Sequence, residues 1–229
     1  MGNKGIIGRY KFKRVAARLL GLVFPENLYC ICCGNIIDDS MKYGLCGHCM
    51  EHIRWNNDAP KKKTGVFLIR CAEYGIYERS IIFSLKYNGK RFLARKIAEI
   101  MRDRLAASGL HADLLIPVPM YKEKERRRGF NHAELISKYL SELTGITHMP
   151  TAIKRVRNTV PMRSLGPAER ARNIAGSIEM NAAYSGFAEG KTVLIVDDFY
   201  TTGSTAAECA SALSAAGADK IFFIAFAAR

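Results

Sequence analysis

The sequence has 229 residues, of which 48% are hydrophobic and 24% are charged, and its formal net charge is +14. These proportions are typical of a soluble globular protein, and the length suffices for one good core and a small appendage. No apolar run reaches the ~20 residues that a transmembrane helix needs, so membrane insertion is excluded.

The N-terminal segment is basic and apolar, which raises the question of a secretory signal peptide. Arg14 and Arg18 interrupt its apolar stretch, and no small-residue cleavage site follows. Residues 1–18 hold six basic side chains and no acid. We therefore expect a cytoplasmic chain whose N-terminal segment carries a strong positive charge.

Two C-x2-C pairs follow, Cys30 with Cys33 and Cys46 with Cys49. Each pair can chelate one metal ion, and four thiolates complete the tetrahedral coordination that zinc prefers. The residues around the pairs carry too little apolar surface to fold alone, so bound zinc would supply the missing stability. The alternatives are a disulfide pairing, which is unusual in the cytosol, and a spacing that arises by coincidence.

Two further side chains near these pairs, Cys32 and His48, can replace one of the four ligands. The segment WNNDAPKKKTG then changes both charge and composition, which is typical of a linker. We therefore predict three parts: a basic N-terminal segment with a zinc-ribbon-like module (1–58), a linker (59–65) and a larger domain (66–229) of ordinary size.

The larger domain opens with a predicted strand or hairpin at 67–78. A helix is expected before the turn at Asn88-Gly89, and the apolar stripe of 91–109 predicts a second helix, which a glycine ends. A second buried strand is predicted at 113–119, where prolines stop it. Strands that alternate with helices indicate an α/β fold with a doubly wound, mainly parallel sheet.

A basic loop is predicted after the second strand, at 120–131. Its part from Lys122 to Arg128 carries five basic and two acidic side chains. Ligands of an open α/β sheet bind beyond the carboxyl ends of the strands, where this loop lies. Taken alone, the run is most simply a solvated surface loop. If a phosphate-binding loop follows another strand of the same sheet, the basic loop is instead predicted to form one side of a pyrophosphate-binding site.

The stretch VLIVDDFYTTGST, at 193–205, carries the most specific signal. Val193 to Val196 are predicted to form a buried strand, and the alanine-rich run from 206 to 216 predicts a helix. Between them, the backbone N–H groups and hydroxyls of Thr201 to Thr205 can hold an anion at the helix N-terminus. This pattern favours a phosphate site.

Two carboxylates, Asp197 and Asp198, stand directly before this loop and would repel a bare polyphosphate. No lysine follows the glycine, so the loop is not a Walker A motif. A ribose 5-phosphate suits both features, because its phosphate enters the loop while its vicinal diol meets the acids. The alternative is an ordinary strand–helix connection with an N-cap.

These residues resemble the ribose-phosphate motif of type I phosphoribosyltransferases. Over nearly its whole length, the chain resembles the competence protein F (ComF) group within that family. The pieces that carry the resemblance are the four-cysteine module at 30–49, SLKYNGKRFLA at 84–94, DLLIPVPMYKEKERRRGFN at 113–131 and IKRVRNTVPMRSLGPAERARNIAGSI at 153–178. It implies a phosphoribosyltransferase fold, phosphoribosyl pyrophosphate (PRPP) with Mg²⁺ as substrate, a zinc-ribbon-like N-terminus, and a link to DNA uptake or competence.

The resemblance also assigns roles to residues. Asp197 and Asp198 would hold the ribose hydroxyls. Arg155 and Arg163 belong to a region where related enzymes carry a mobile lid, with arginines that close over the leaving group. The remaining residues expected to contact PRPP lie on the two loops: Val118, Pro119, Met120, Tyr200, Thr201, Thr202, Gly203, Ser204 and Thr205.

The sequence departs from the family at His132 and Met162, where the family has glutamine. Purine-salvage relatives carry an acid at the position of Thr201, so its absence argues against a purine acceptor. The rival hypothesis is a catalytically retired phosphoribosyltransferase fold that senses a nucleotide or handles single-stranded DNA. The basic runs at 4–18 and 122–128 favour a contact with single-stranded DNA through counterion release. The resemblance to the competence protein F group implies the DNA-uptake machinery as a further partner. The oligomeric state is left open.

Overall fold

The computed structural model describes residues 28–38, 40–159, 167–184 and 186–229, with the backbone alone at 167, 168, 170 and 171. The strands are β1 (Lys61–Lys63), β2 (Val66–Glu73), β3 (Leu114–Pro117), β4 (Thr147–His148), β5 (Ile153–Arg155), β6 (Ile178–Met180), β7 (Thr192–Tyr200) and β8 (Lys220–Ala228). The α-helices are α1 (Gly47–His52), α2 (Ile76–Tyr87), α3 (Leu93–Ser108), α4 (Lys122–Arg128), α5 (His132–Thr144), α6 (Pro167–Ile174) and α7 (Ser204–Ala215). None of these helices combines the length and the apolar character needed to cross a bilayer.

The main sheet has six strands in the order β1-β2-β8-β7-β3-β4. The edge strand β1 runs antiparallel to β2, and every other neighbouring pair of this sheet is parallel. β5 and β6 form a separate antiparallel pair. Parallel neighbours require crossover connections, which the intervening helices supply. The predicted α/β class with a mainly parallel sheet is therefore confirmed.

Helices cover both faces of the main sheet. Along β7, Leu194 and Val196 belong to a core that is shared with α2, α3 and α5. Val193 and Ile195 belong to a second core, which is shared with α7. Successive side chains of a strand point to opposite faces, so β7 contributes to both cores. This is the doubly wound arrangement that the sequence predicts.

The cysteine-bearing segment packs against the first of these cores. Its buried Leu45 and Ile53 belong to the same apolar cluster as Ile69 of β2 and Ile81 of α2. Within the segment 59–65, which the sequence predicts as a linker, the structure has the exposed edge strand β1, paired with β2. The division of the chain into three parts stays a prediction.

β7 is longer than the strand predicted at 193–196. It continues through Tyr200 because β8 runs beside it and pairs with it to the end. Asp197 and Asp198 are therefore strand residues and not the start of a loop. The helix α7 begins two residues earlier than predicted, so that 201–203 alone lie between strand and helix.

The basic segment after β3 contains a helix, α4, where the sequence predicts a loop. Lysine, glutamate and arginine are good helix formers; the acids of α4 lie in its first turn and its arginines in its last turn, which suits the helix dipole. Gly129 ends the helix in the left-handed conformation, with φ of 85°. No residue of α4 is buried: Lys122, Glu123, Arg126 and Arg127 are exposed, whereas Lys124, Glu125 and Arg128 are half-buried.

Candidate functional site

The carboxyl ends of β3 and β7 bring the two predicted ligand loops to one edge of the sheet. The strands are parallel neighbours, and the N–H of Val118 donates to the Val196 carbonyl at 3.0 Å. Val118 and Pro119 are buried, and Met120 is half-buried. Open α/β sheets bind ligands at this edge, which makes this segment and 201–205 the candidate site.

The segment after β3 is anchored by Asn131, whose role the sequence pattern does not reveal. The amide Nδ2 of Asn131 donates to the Val118 carbonyl at 3.1 Å, and its Oδ1 accepts from the N–H of Ala133 at 3.1 Å. Asn131 is the N-cap of α5. One side chain therefore begins a helix and fixes the backbone of the loop at the same time.

The carboxylate of Asp198 is held between two side chains inside the protein. Its Oδ2 lies 2.6 Å from Lys86 Nζ, and its Oδ1 lies 3.0 Å from His132 Nε2. Only 1% of the Asp198 side chain is exposed. Burial acts to raise the pKa of Asp198, but the charge of Lys86 and the contact with His132 hold this pKa well below its usual value. Asp198 is therefore an ionised carboxylate with internal partners.

Asp197 has a different environment from its neighbour. Its side chain is 15% exposed, and its Oδ1 accepts from the N–H of Asp198 at 2.9 Å and lies 3.7 Å from His132 Nε2. Burial and the adjacent charge of Asp198 raise the pKa of Asp197 well above its usual value. The acid pair thus offers one firmly ionised carboxylate and one that is much easier to protonate.

Lys86 and His132 complete this cluster, although neither is among the predicted site residues. Burial lowers the pKa of His132, against the charge of Asp198, which acts to raise it. The ring nitrogen of His132 and the two carboxylates lie within 4.8 Å of one another, a spacing that can hold a metal ion. The Lys86 ammonium, 2.6 Å from Asp198 Oδ2, already supplies one positive charge to this cluster. Lys86 lies in the stretch SLKYNGKRFLA, at 84–94. It is far from Asp198 in the sequence, so no local sequence pattern predicts the ion pair between them.

Gly203 lets the chain turn sharply from β7 into α7. Its φ is 81°, in the left-handed region that favours glycine. The Tyr200 hydroxyl and Thr64 Oγ1, 2.9 Å apart, lie where a side chain at Gly203 would be. Tyr200 is 3% exposed. It therefore supports the loop from inside the protein, and its expected contact with the ligand stays a prediction.

The hydroxyl groups of the predicted phosphate loop surround the start of α7. Thr202 Oγ1 and Ser204 Oγ share a hydrogen bond of 2.9 Å. Thr201, Thr202, Ser204 and Thr205 are all half-buried. α7 is 12 residues long, so its first N–H groups and its dipole add to the attraction for an anion.

Arg155 lies at the end of β5, and its guanidinium Nη2 donates to Thr159 Oγ1 at 2.6 Å. Lys124 of α4 donates to the carbonyl of the same threonine at 2.6 Å. Burial lowers the pKa of Arg155, while the charge of Asp197 acts to raise it, which indicates that the two charges interact. The other predicted arginine, Arg163, lies outside the described residues, as does Met162.

The four predicted zinc ligands are close together. The Sγ atoms of Cys30, Cys33, Cys46 and Cys49 lie within 4.8 Å of one another, and those of Cys33 and Cys46 are 3.7 Å apart. Zn–S bonds of about 2.3 Å in a tetrahedron require S···S distances of about 3.8 Å, so the cluster fits a zinc ion.

Backbone N–H groups stabilise the thiolate of Cys30, whereas burial raises the pKa of the Cys49 thiol. The N–H of Cys46 donates to Cys30 Sγ at 3.4 Å. Burial acts to raise the pKa of Cys30, but such hydrogen bonds lower it to about 7. The two alternative ligands have other contacts: Cys32 Sγ faces the Tyr77 carbonyl at 3.6 Å, and His48 Nε2 lies 3.2 Å from the Tyr77 hydroxyl. The geometry therefore favours the four cysteines.

No family model matches the chain. Competence protein F of Haemophilus influenzae is 26% identical over 199 residues, which cover 82% of this chain and 86% of that protein. The DNA utilization protein YhgH of Shigella flexneri is 28% identical over 77% of this chain and 74% of its own. Competence protein ComFC of Bacillus subtilis is 31% identical over 42% of this chain and 37% of its own.

Solved structures resemble the chain more distantly. The allosteric regulatory enzyme of purine biosynthesis aligns with a TM-score of 0.35 and 24% identity over 57% of this chain and 25% of its own. The protein TT1426 from Thermus thermophilus aligns with a TM-score of 0.37 and 14% identity over 59% of this chain and 83% of its own. At these TM-scores neither likeness carries weight for the site. By sequence, the chain is homologous to competence protein F, YhgH and ComFC.

Proposed function

We propose that the protein binds PRPP with Mg²⁺ at the carboxyl edge of β3 and β7, and transfers or senses its 5-phosphoribosyl group. The observation that carries the proposal is the end of β7. There, Asp197 lies near the carboxyl end of a strand that leads into a loop whose glycine and hydroxyls precede the N-terminus of α7. An anion site beside a carboxylate suits a sugar phosphate better than a bare phosphate chain.

Each part of PRPP has a matching part of this edge. The 5-phosphate meets the segment 201–205, and the ribose hydroxyls meet the acid pair. The pyrophosphate lies along the backbone of 118–120, near the cations of α4 and Arg155. Mg²⁺ bound with PRPP would neutralise pyrophosphate charge and so favour its departure.

The chain's own residues act mainly by electrostatics. As pyrophosphate leaves, positive charge develops on the ribose, and the carboxylates of Asp197 and Asp198 at the end of β7 stabilise this charge. Arg155 and the second lid arginine, Arg163, stabilise the negative charge that develops on the leaving pyrophosphate.

The cysteine cluster is proposed to hold a structural zinc ion through Cys30, Cys33, Cys46 and Cys49. The fit of the four sulfur atoms to a tetrahedron supports this, and so do the N–H donors that face Cys30 and Cys46. A cytoplasmic location is proposed with it, because coordinated thiolates rather than disulfides suit a reducing compartment.

A contact with single-stranded DNA is the second candidate function, in keeping with relatives named for competence and DNA utilization. Exposed rings lie next to the basic helix α4. Phe83 and Tyr87 have ring centroids 4.9 Å apart, and the Arg128 guanidinium lies 5.2 Å from the Tyr87 centroid. Phe92 is also exposed, beside Arg91. Surfaces that stack on nucleic-acid bases combine aromatic rings with positively charged side chains. A run of charges that is merely solvated does not require aromatic rings beside it.

Isothermal titration calorimetry with PRPP tests the first proposal. We expect saturable binding that requires Mg²⁺, with weaker binding of ribose 5-phosphate, which lacks the pyrophosphate. Phosphorus NMR of the same mixture distinguishes transfer from sensing, because an active enzyme without another acceptor slowly transfers the phosphoribosyl group to water and releases ribose 5-phosphate and pyrophosphate. PRPP that binds no better than free pyrophosphate would contradict the proposal, since the ribose and its acids would then contribute nothing.

A further inference from the structure

The two acids at the end of β7 differ in how much of each side chain is already engaged inside the protein. Both carboxylates approach His132 Nε2, Asp198 Oδ1 at 3.0 Å and Asp197 Oδ1 at 3.7 Å. Asp198 also lies 2.6 Å from Lys86 Nζ through its other oxygen, and its side chain is 1% exposed. The side chain of Asp197 is 15% exposed. Asp198 is therefore the more enclosed acid, with an ion-pair partner of its own.

We propose that the two acids have different tasks: Asp198 is an internal counter-ion held by Lys86 and His132, and Asp197 alone offers its carboxylate to the ribose hydroxyls. The inference rests on the proposed PRPP site and assigns roles within it. Each oxygen of Asp198 already faces a partner, Lys86 at 2.6 Å and His132 at 3.0 Å, and the side chain is 1% exposed. A ligand therefore has little access to it.

Arg128 determines which nitrogen of His132 carries the proton. Arg128 Nη1 lies 3.0 Å from His132 Nδ1. A guanidinium can only donate, so Nδ1 must be the acceptor. The proton of the neutral imidazole is then on Nε2, which donates to Asp198 Oδ1. His132 is a positioning residue that links Arg128, at the end of the basic helix α4, to the carboxylate of Asp198.

Asp197 remains the carboxylate that a ligand can reach. Its side chain keeps 15% of its surface exposed at the sheet edge, close to the loop after β3. The negative charge of Asp198 is next to it in sequence and is paired with Lys86. Asp197 can therefore change partners when a sugar binds, while Asp198 keeps its own.

Histidine NMR tests the internal network without any ligand. In ¹⁵N-labelled protein at pH 7.5, long-range ¹⁵N–¹H correlations should show His132 as the Nε2–H tautomer, with its signals identified by their loss in His132→Gln. Asp198→Asn and Lys86→Met should both shift these nitrogen signals, and Asp197→Asn should shift them less. An Nδ1–H tautomer, or His132 nitrogen signals that do not shift in Asp198→Asn, would contradict the proposed contacts of His132 with Arg128 and Asp198.

Stability gives a second readout for the positioning role. Removing one partner of a buried ion pair should lower the thermal midpoint by about 6–20 °C, as expected for Asp198→Asn. His132→Leu should also lower the midpoint, whereas His132→Gln should retain it, because glutamine keeps one acceptor and one donor. Equal midpoints for the Leu and Gln variants would contradict the proposal.

PRPP affinity tests the role of Asp197. Asp197→Asn should weaken PRPP binding by about 10- to 100-fold, the loss expected for hydrogen bonds to a charged group, with the His132 signals preserved. Unchanged affinity in Asp197→Asn together with lost binding in Asp198→Asn would overturn the assignment. If the unsubstituted protein does not bind PRPP, the proposed function fails, and the NMR and stability results still decide the network.

Discussion

Gly203→Ala should destabilise the protein far more than an ordinary glycine-to-alanine change. An alanine Cβ at this position would lie 2.9 Å from Tyr200 Cζ and closer still to the Tyr200 hydroxyl and Thr64 Oγ1. Tyr200 is buried and part of the second core, so it cannot swing into solvent without losing that packing. The variant must therefore move the turn, the ring, or both.

The magnitude follows from three costs. A non-glycine residue in the left-handed region costs about 1–2 kcal/mol. Overpacking against a buried ring costs about 1–3 kcal/mol. Loss of the 2.9 Å hydrogen bond between Tyr200 and Thr64 costs about 1 kcal/mol. We expect the free energy of unfolding to fall by about 3–6 kcal/mol, the sum of these ranges.

Gly190→Ala is the matched control. Gly190 also has a positive φ, 65°, but nothing lies within 4 Å of the position that its Cβ would take. Its substitution should cost the conformational term alone, about 1–2 kcal/mol. Urea unfolding followed by circular dichroism measures both variants. Equal losses would refute the reasoning, because the close approach of Tyr200 would then contribute nothing.

Two further predictions concern the metal and the DNA contact. Cys33→Ser should lower the zinc content of protein purified without chelator, measured by elemental analysis, whereas Cys32→Ser should retain it; zinc that survives Cys33→Ser would exclude the four-cysteine site. Single-stranded DNA should bind weakly by fluorescence anisotropy, with an affinity that falls steeply between about 50 and 200 mM salt, and Tyr87→Ala should weaken it further. An affinity that does not change with salt would contradict a contact led by the basic runs 4–18, which lies outside the described residues, and 122–128.

The features that the sequence predicts well are those encoded by neighbouring residues. The four-cysteine cluster follows from two local C-x2-C pairs, and the structure brings their sulfur atoms together. The helix predicted at 91–109 has its own apolar stripe and its own terminating glycine, and it matches α3. The order of the strands in the sheet follows only in part from the alternation of strands and helices, because tertiary packing determines which strands become neighbours.

The features that the sequence misses depend on distant partners. The polar pair Asp197-Asp198 suggests the end of a strand, yet pairing with β8 carries the strand on to Tyr200. The partners of Asp198 come from α2 and from the start of α5, and no local pattern announces either contact. The helix α4 is missed for another reason. Its run of charged residues suggests a solvated loop, although lysine, glutamate and arginine favour a helix.

The crystal structure of the protein with PRPP and Mg²⁺ would test the central claim most directly. We expect the 5-phosphate within hydrogen-bonding distance of the backbone N–H groups of 201–205, and the pyrophosphate along 118–120. The ribose hydroxyls should contact Asp197, while Asp198 stays paired with Lys86 and His132. PRPP bound away from the ends of β3 and β7, or bound with its ribose turned from Asp197, would contradict the account.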